Sequence, residues 1–267
     1  MPTKIPTRRA MPAEHSLDLP PPFRLVSLRE AGDAFAHAAA IAVEAGAGTL
    51  VQVGRFDTAE FAVVLEPEQS LRLARRVLYV GLCALGDALA ACAPPERTIG
   101  FDWPDAIRVE GAPVGRVRLG WPAGADENKP PEWVVFGATV RMAAMGDAEL
   151  GLQPFATALE DEGFDDASSE HLIESFARHL MAGIAVCREH GFGAIAKSYG
   201  ARLSLEKAAR FDIDETGDLV EWRTGARGPE RRSLRDALAA PSPAPSWSLE
   251  ALPGNRPDLP ASRREHR

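Results

Sequence analysis

The chain alternates between segments whose apolar residues recur every three to four positions and short runs in which β-branched and aromatic residues crowd together. Ser27, with Glu30 in capping-box position and an alanine-rich stripe behind it, predicts a helix through about Glu44. Ala45-Gly46-Ala47-Gly48 ends it, and Thr49–Val53 and Phe61–Leu65 read as two buried strands joined by residues 54–60. A second helix is predicted from about Ser70 to Cys92, where Leu71, Leu73, Ala74, Val77, Leu78, Leu82, Leu85 and Leu89 recur at helical spacing and Pro94-Pro95 enforces the stop. Ala106–Val109, Val114–Trp121 and Trp133–Met142 are three β-type runs separated by Gly-, Pro- and Asn-containing breaks, the pattern of an antiparallel meander, with residues 124–132 as a solvated hairpin loop.

Farther on, Asp147–Gln153 reads as a short strand or loop and Glu160–Asp166 as an acidic connection. A long helix begins after Ser168, whose hydroxyl suits the cap, and finishes at Arg188, His190 and Gly191, with a short helix over Ala194–Ala201 behind it. Phe211–Trp222, with Asp-Glu-Thr-Gly-Asp at its centre, reads as a hairpin. Two ends differ in composition: a tail that runs into Pro20-Pro21-Pro22, and a proline- and arginine-rich segment from Pro241 onward, both expected to be disordered. The expected organisation is a tail over 1–19, an α+β domain over 20–203 with a mixed, mainly antiparallel sheet and packed helices, a small β module over 204–238 and a second tail over 239–267.

Charge and cysteine usage narrow the function classes. Lys plus Arg is 30 against 38 Asp plus Glu, a formal charge of −8 that lacks the basic footprint nucleic-acid binding requires. No apolar run reaches membrane-spanning length, so no membrane partner is expected, and Cys83, Cys92 and Cys187 form no paired or zinc-type spacing, which suits a reducing cytoplasm. His179 and His190 lack a partner motif, and Asp212, Asp214, Glu215 and Asp218 are read as turn chemistry rather than a calcium loop. Lysine is scarce: Lys4, Lys129, Lys197 and Lys207 are the only ones.

Asp102-Trp103-Pro104-Asp105, the Glu110-Gly111 turn, Gly115, Gly137 and the Gly191-Phe192 ending of the long helix occur in an order that resembles the catalytic domain of the biotin/lipoate A/B protein ligase family, in a divergent bacterial branch. The resemblance spans roughly residues 20–203 and implies a class II synthetase-like domain, a C-terminal β module here reduced to one hairpin, and a site that activates a carboxylic acid with ATP and passes the acyl group to a carrier-protein lysine. It implies biotin or lipoate/octanoate and ATP as ligands if the family activity is retained, and a biotinyl or lipoyl carrier domain as partner.

Carried over position by position, the resemblance assigns ligand binding to Arg55, Phe56, Trp103, Asp105, Val114, Gly115, Arg116 and Gly137. Phosphates need clustered cations and backbone N–H groups, and the early loop Val53-Gly54-Arg55-Phe56-Asp57 offers a single arginine and a single glycine. The position of the family's reactive lysine, three residues before Gly115, is Ala112, and the signature Asn is replaced by Asp105. The catalytic residues are therefore unassigned. Two readings follow: a protein that binds a small carboxylate, acyl group or acyl-adenylate and transfers it, or a catalytically inactive binding or regulatory module that keeps the shell.

Overall fold

The computed structural model describes residues 17–144, 157–165, 167–204 and 210–239. The expectations for Asp147–Gln153, for most of both tails, and for Lys4 and Lys207 lie outside these residues.

Seven strands form one sheet: β1 (Arg24–Leu28), β2 (Thr49–Val53), β3 (Thr58–Leu65), β4 (Ile99–Asp102), β5 (Ala106–Val109), β6 (Ala112–Gly120) and β7 (Val134–Arg141). Their spatial order is β1-β2-β3-β7-β6-β5-β4. Among the described strands of this sheet only β1 and β2 run parallel, so the sheet is mixed and mainly antiparallel. The predicted meander forms β5, β6 and β7, and it gains β4 at the edge, where Phe101 also bridges Leu203.

Helix α1 (Ala34–Ala45) covers one face, packing Ala34, Ala38 and Ala42 on Val51, Val53, Ala62, Val64 and Val135. The opposite face carries α3 (Val77–Cys92), α4 (Ser169–His190) and α5 (Phe192–Gly200). There Phe176 of α4 meets Phe61 at 4.7 Å and stacks on Phe136 at 5.6 Å between ring centres. Alternation along each strand divides the two cores: Phe61, Ala138 and Val117 face α3 and α4, while Ala62, Gly137 and Arg118 face the α1 side.

Several expectations are corrected. Ser27 does not cap a helix; it lies in β1, because Arg24–Leu28 adds parallel to β2, and the helix cap lies six residues later than expected, at Asp33, which accepts from Ala36 N at 2.8 Å. The helix predicted over Ser70–Cys92 is broken into α2 (Leu71–Ala74) and α3. Around Arg75 and Arg76 the bonds tighten to three-residue steps, Arg76 N to Leu73 O and Leu78 N to Arg75 O. The buried Arg75 turns away there to pair with Glu127 at 2.7 Å, so the loop expected to be merely solvated is pinned to α2.

The expected C-terminal hairpin is present, and a third strand extends it. Strands β8 (Arg210–Ile213) and β9 (Leu219–Trp222) are joined by β10 (Glu230–Arg232), followed by α6 (Leu234–Ala239). The turn chemistry reading of its acids fits: Asp214 Oδ1 accepts from Thr216 N and Asp218 N, and Asp218 Oδ1 accepts from Leu234 N. No described helix is long and apolar enough to cross a membrane.

Candidate functional site

The sheet face that carries α1 is only partly covered by it. Beyond the first turn of α1, strands β7, β6, β5 and β4 turn Thr139, Arg116, Ala106, Arg118, Arg108 and Asp102 to the same side, as their register requires. Three ion pairs lie along this polar strip. Asp102 holds Arg108 at 2.5 Å, Asp105 holds Arg116 at 2.7 Å, and Asp33 holds Arg118 at 3.1 Å.

The Trp103-Pro104 turn explains one of these pairs. The turn brings Asp105 back over β6, where the Asp105 carbonyl accepts from Val117 N at 2.9 Å while its carboxylate takes Arg116. Asp105 thus positions an arginine on the sheet. Trp103 goes the other way: it is buried against α3, its Nε1 donates to Tyr79 Oη at 2.9 Å, and the Arg232 guanidinium lies 4.5 Å from its ring centre. Val114 is likewise buried on the α3 side.

Arg55 occupies a cage of acceptors. Its Nη1 meets Glu60 Oε2 at 2.5 Å, Nε donates to Glu30 O at 2.8 Å and Nη2 to Gly32 O at 2.9 Å. Glu60 is itself buried, and its other oxygen accepts from Ala34 N, the first residue of α1, at 2.9 Å. The chain's own carboxylate therefore sits where Arg55 and the α1 N-terminus converge. The neighbouring Phe56 projects outward, 74% exposed.

The two strand glycines also serve the protein's interior. A Cβ on Gly137 would stand 2.7 Å from the Phe35 ring and one on Gly120 2.8 Å from it, so Phe35 of α1 lies in the slot that β6 and β7 leave open. Arg118 covers that ring from outside at 4.5 Å. At Gly115 the close neighbour is backbone, Thr139 O at 2.6 Å from the would-be Cβ.

Of the predicted site residues, the structure brings Asp105, Arg116 and Gly137 onto the partly open face with Arg55 at its rim. Trp103 and Val114 lie on the other side of the sheet. Sequence reading missed Phe35, Asp33, Arg118 and Glu60. Glu60 did leave a signal, a lone acid inside the apolar run Thr58–Leu65, and Asp33 stood directly before an alanine-rich helical stripe.

Two electrostatic environments differ. Burial pushes the Asp33 carboxyl up, yet the Ala36 N–H and Arg118 together outweigh it and leave its pKa below the ordinary aspartate value. On the helix side, burial drives the Cys83 thiol up to about 12, against the pull of Arg202, which fits a packed apolar residue and not a nucleophile. Of the lysines, Lys129 is 78% exposed beside Asp126, and Lys197 lines a groove of about 620 Å³ between α5 and β8. Among the described residues no group of three or more metal-type ligands occurs.

Comparison with solved structures places this architecture. A biotin protein ligase-like protein of unknown function from Silicibacter sp. TM1040 is similar at 27% identity and a TM-score of 0.71, covering 83% of this chain and 98% of that one. Biotin protein ligase from Aquifex aeolicus shares the fold at 14% identity and a TM-score of 0.62, covering 79% and 95%. The same Aquifex enzyme in complex with biotin and ATP aligns at a TM-score of 0.60 and 14% identity, covering 78% and 94%. No curated protein sequence matches the chain. The profile of the biotin/lipoate A/B protein ligase family matches residues 19–201, most of the described fold, and the chain belongs to that family.

Proposed function

We propose that the chain is a ligase-like binding module that holds a small carboxylic acid of the biotin, lipoate or octanoate class on the partly open sheet face, with the carboxylate at Arg118, and does not convert it to an acyl-adenylate. The observation that carries this reading is the contrast between two arginines. Arg55 is locked to the buried Glu60 and two carbonyls, whereas Arg118 and Asp33 form an exchangeable pair, each about half exposed. An incoming carboxylate replaces Asp33 at Arg118 without opening the core, and bidentate geometry favours the exchange. Arg116, held by Asp105, supplies a second positive charge along the same strand.

The adenylation step has less support in these residues. Ala112 stands at the position of the family's lysine, and the early loop presents its one arginine to the chain's own carboxylate. The Aquifex relative holds biotin and ATP together; this chain keeps the place for the acid without that for the nucleotide.

Calorimetry with biotin, lipoate and octanoate tests the binding, with Arg118→Ala as the control. At least one acid should bind, and the variant should lose at least about tenfold in affinity, the loss of roughly one charge-assisted contact. Pyrophosphate exchange into ATP in the presence of each acid should stay at background. Unchanged affinity in the variant overturns the assignment of Arg118, and acid-dependent exchange overturns the non-adenylating reading.

A further inference from the structure

The last turns of α4 carry a surface that the other described residues leave exposed. From Met181 to Cys187 every residue is apolar, and a helix apolar all round belongs in a buried setting. Only one side of it is buried. Ile184 and Cys187 turn inward and Gly183 packs close to Val80, while Met181 and Val186 are each 38% exposed and Ala182 and Ala185 are exposed beside them.

These exposed residues share one stripe with charged ends. Arg178, Ala182, Ala185 and Glu189 follow the alternating four- and three-residue spacing of a helix-packing seam, flanked by Met181 and Val186. The stripe is self-complementary. A two-fold axis between positions 183 and 184, relating two antiparallel copies of α4, sets Ala182 opposite Ala185, Met181 opposite Val186, and Arg178 opposite Glu189. Arg178 is 52% exposed in its side chain and Glu189 73%, so both can reach across. Among the described residues, Arg178 meets the Glu174 carboxylate at 3.9 Å and the Asp18 carbonyl at 3.3 Å.

We infer that this stripe is a homodimer interface, with a second copy of the chain as its occupant. The small residues let the two helices approach closely, the flanking Met181 and Val186 supply apolar contact, and two Arg178–Glu189 pairs fix the antiparallel register. A seam from 178 to 189 is about 16 Å long at the rise of an α-helix, short for a standard interface, so the dimer is concentration-dependent. This inference is independent of the proposed ligand and of the sheet face.

Sedimentation of the full chain over a wide concentration range tests it. A monomer–dimer equilibrium is expected, weakened at least about tenfold by Met181→Glu and by each of Arg178→Glu and Glu189→Arg, and restored in the double charge reversal, which recreates both pairs with inverted sign. Circular dichroism of each variant at low concentration should show an unaltered fold, and melting should shift only slightly, most for Arg178→Glu, which gives up its contacts to Glu174 and the Asp18 carbonyl. A monomer at every concentration overturns the proposal, as does a dimer indifferent to all these changes. A monomer whose residues 1–16 become protease-sensitive only on Met181→Glu also overturns it and gives the face to the N-terminal segment instead.

Discussion

Trp103 Nε1 donates to Tyr79 Oη at 2.9 Å, and the same hydroxyl donates to Gly217 O at 2.5 Å. One buried phenol therefore joins the turn before β5, helix α3 and the C-terminal module. Tyr79→Phe keeps the ring packing against Tyr199 and Phe192 but leaves an indole N–H and a buried carbonyl without their partner. The expected loss is about 1–3 kcal/mol of stability, measured by urea unfolding, with the C-terminal module becoming protease-sensitive first. A variant as stable as the original would mean the module is held by other contacts.

The Arg55–Glu60 pair sets a second expectation. Arg55→Ala strands a carboxylate that is nearly buried, so the variant should lose about 2–4 kcal/mol, the cost of breaking a buried pair discounted for the partial exposure of the arginine. Glu60→Gln should cost less, because the amide oxygen still accepts from Arg55 or Ala34 N. The order of the two melting temperatures checks it, and a fully stable Arg55→Ala would return that residue to the ligand.

Much of this fold was legible because its signals are local. Apolar periods located the strands of the meander, the long helix and its Ser168 cap, whose hydroxyl accepts from His171 N. What failed depended on distant partners. Ser27 and Glu30 satisfy a capping pattern, yet the neighbouring β2 recruits that stretch into the sheet. The break at Arg75 answers to Glu127, far along the chain, and β10 is a short charged run whose pairing with β9 has no hydrophobic signature. In the site, the family pattern pointed to Arg55, Gly115 and Gly137, but no local rule reveals that Glu60 takes Arg55, that Phe35 fills the space beside Gly137, or that Gly115 lies against the Thr139 carbonyl.

Alkaline pH should destabilise the fold through its helix-side core. Burial raises the Tyr79 and Tyr199 phenols above their ordinary range and the Cys83 thiol to about 12 from an ordinary 9.0. A group whose folded pKa is raised contributes its full stability below its unfolded pKa and loses it as pH climbs toward the folded value. Stability is thus expected to fall between pH 9 and 12, by up to about 1.4 kcal/mol per pH unit for each group being titrated. Urea midpoints across that range test it, and Cys83→Ala should flatten the slope from pH 9 upward. At pH 8, Cys83 should also be the slowest of the three thiols to react with a disulfide reagent.

Asp33 both caps α1 and occupies Arg118, so a substitution that separates the two roles probes the ligand site. Asp33→Ser retains a cap acceptor for Ala36 N and releases the guanidinium, and it should leave stability within about 1 kcal/mol. If a ligand carboxylate competes with Asp33, the affinity for the acid that binds should rise several-fold, and the dependence on pH below the ordinary aspartate range should fade, because the carboxyl whose pKa lies below that range has gone. Equal affinity and an unchanged profile would show that the acid does not meet Arg118.

The strand glycines allow a test of clearance for a ligand against clearance for the protein itself. A methyl at Gly137 would press on the Phe35 ring, a side chain that can yield, while a methyl at Gly115 would press on the Thr139 carbonyl, which is fixed in the β6–β7 ladder. Both Gly→Ala variants should therefore be destabilised without any ligand present, by about 1–3 kcal/mol, with Gly115→Ala the worse. The mechanism makes a further demand. Replacing Phe35 by Ala removes the ring carbons Cδ2 and Cγ that Gly137→Ala collides with, so the double variant should be more stable than the two single losses added together, by roughly 0.5 kcal/mol or more. Additive losses in that cycle would mean that Phe35 is not what the glycine makes room for, and the face would again be open to a ligand at Gly137.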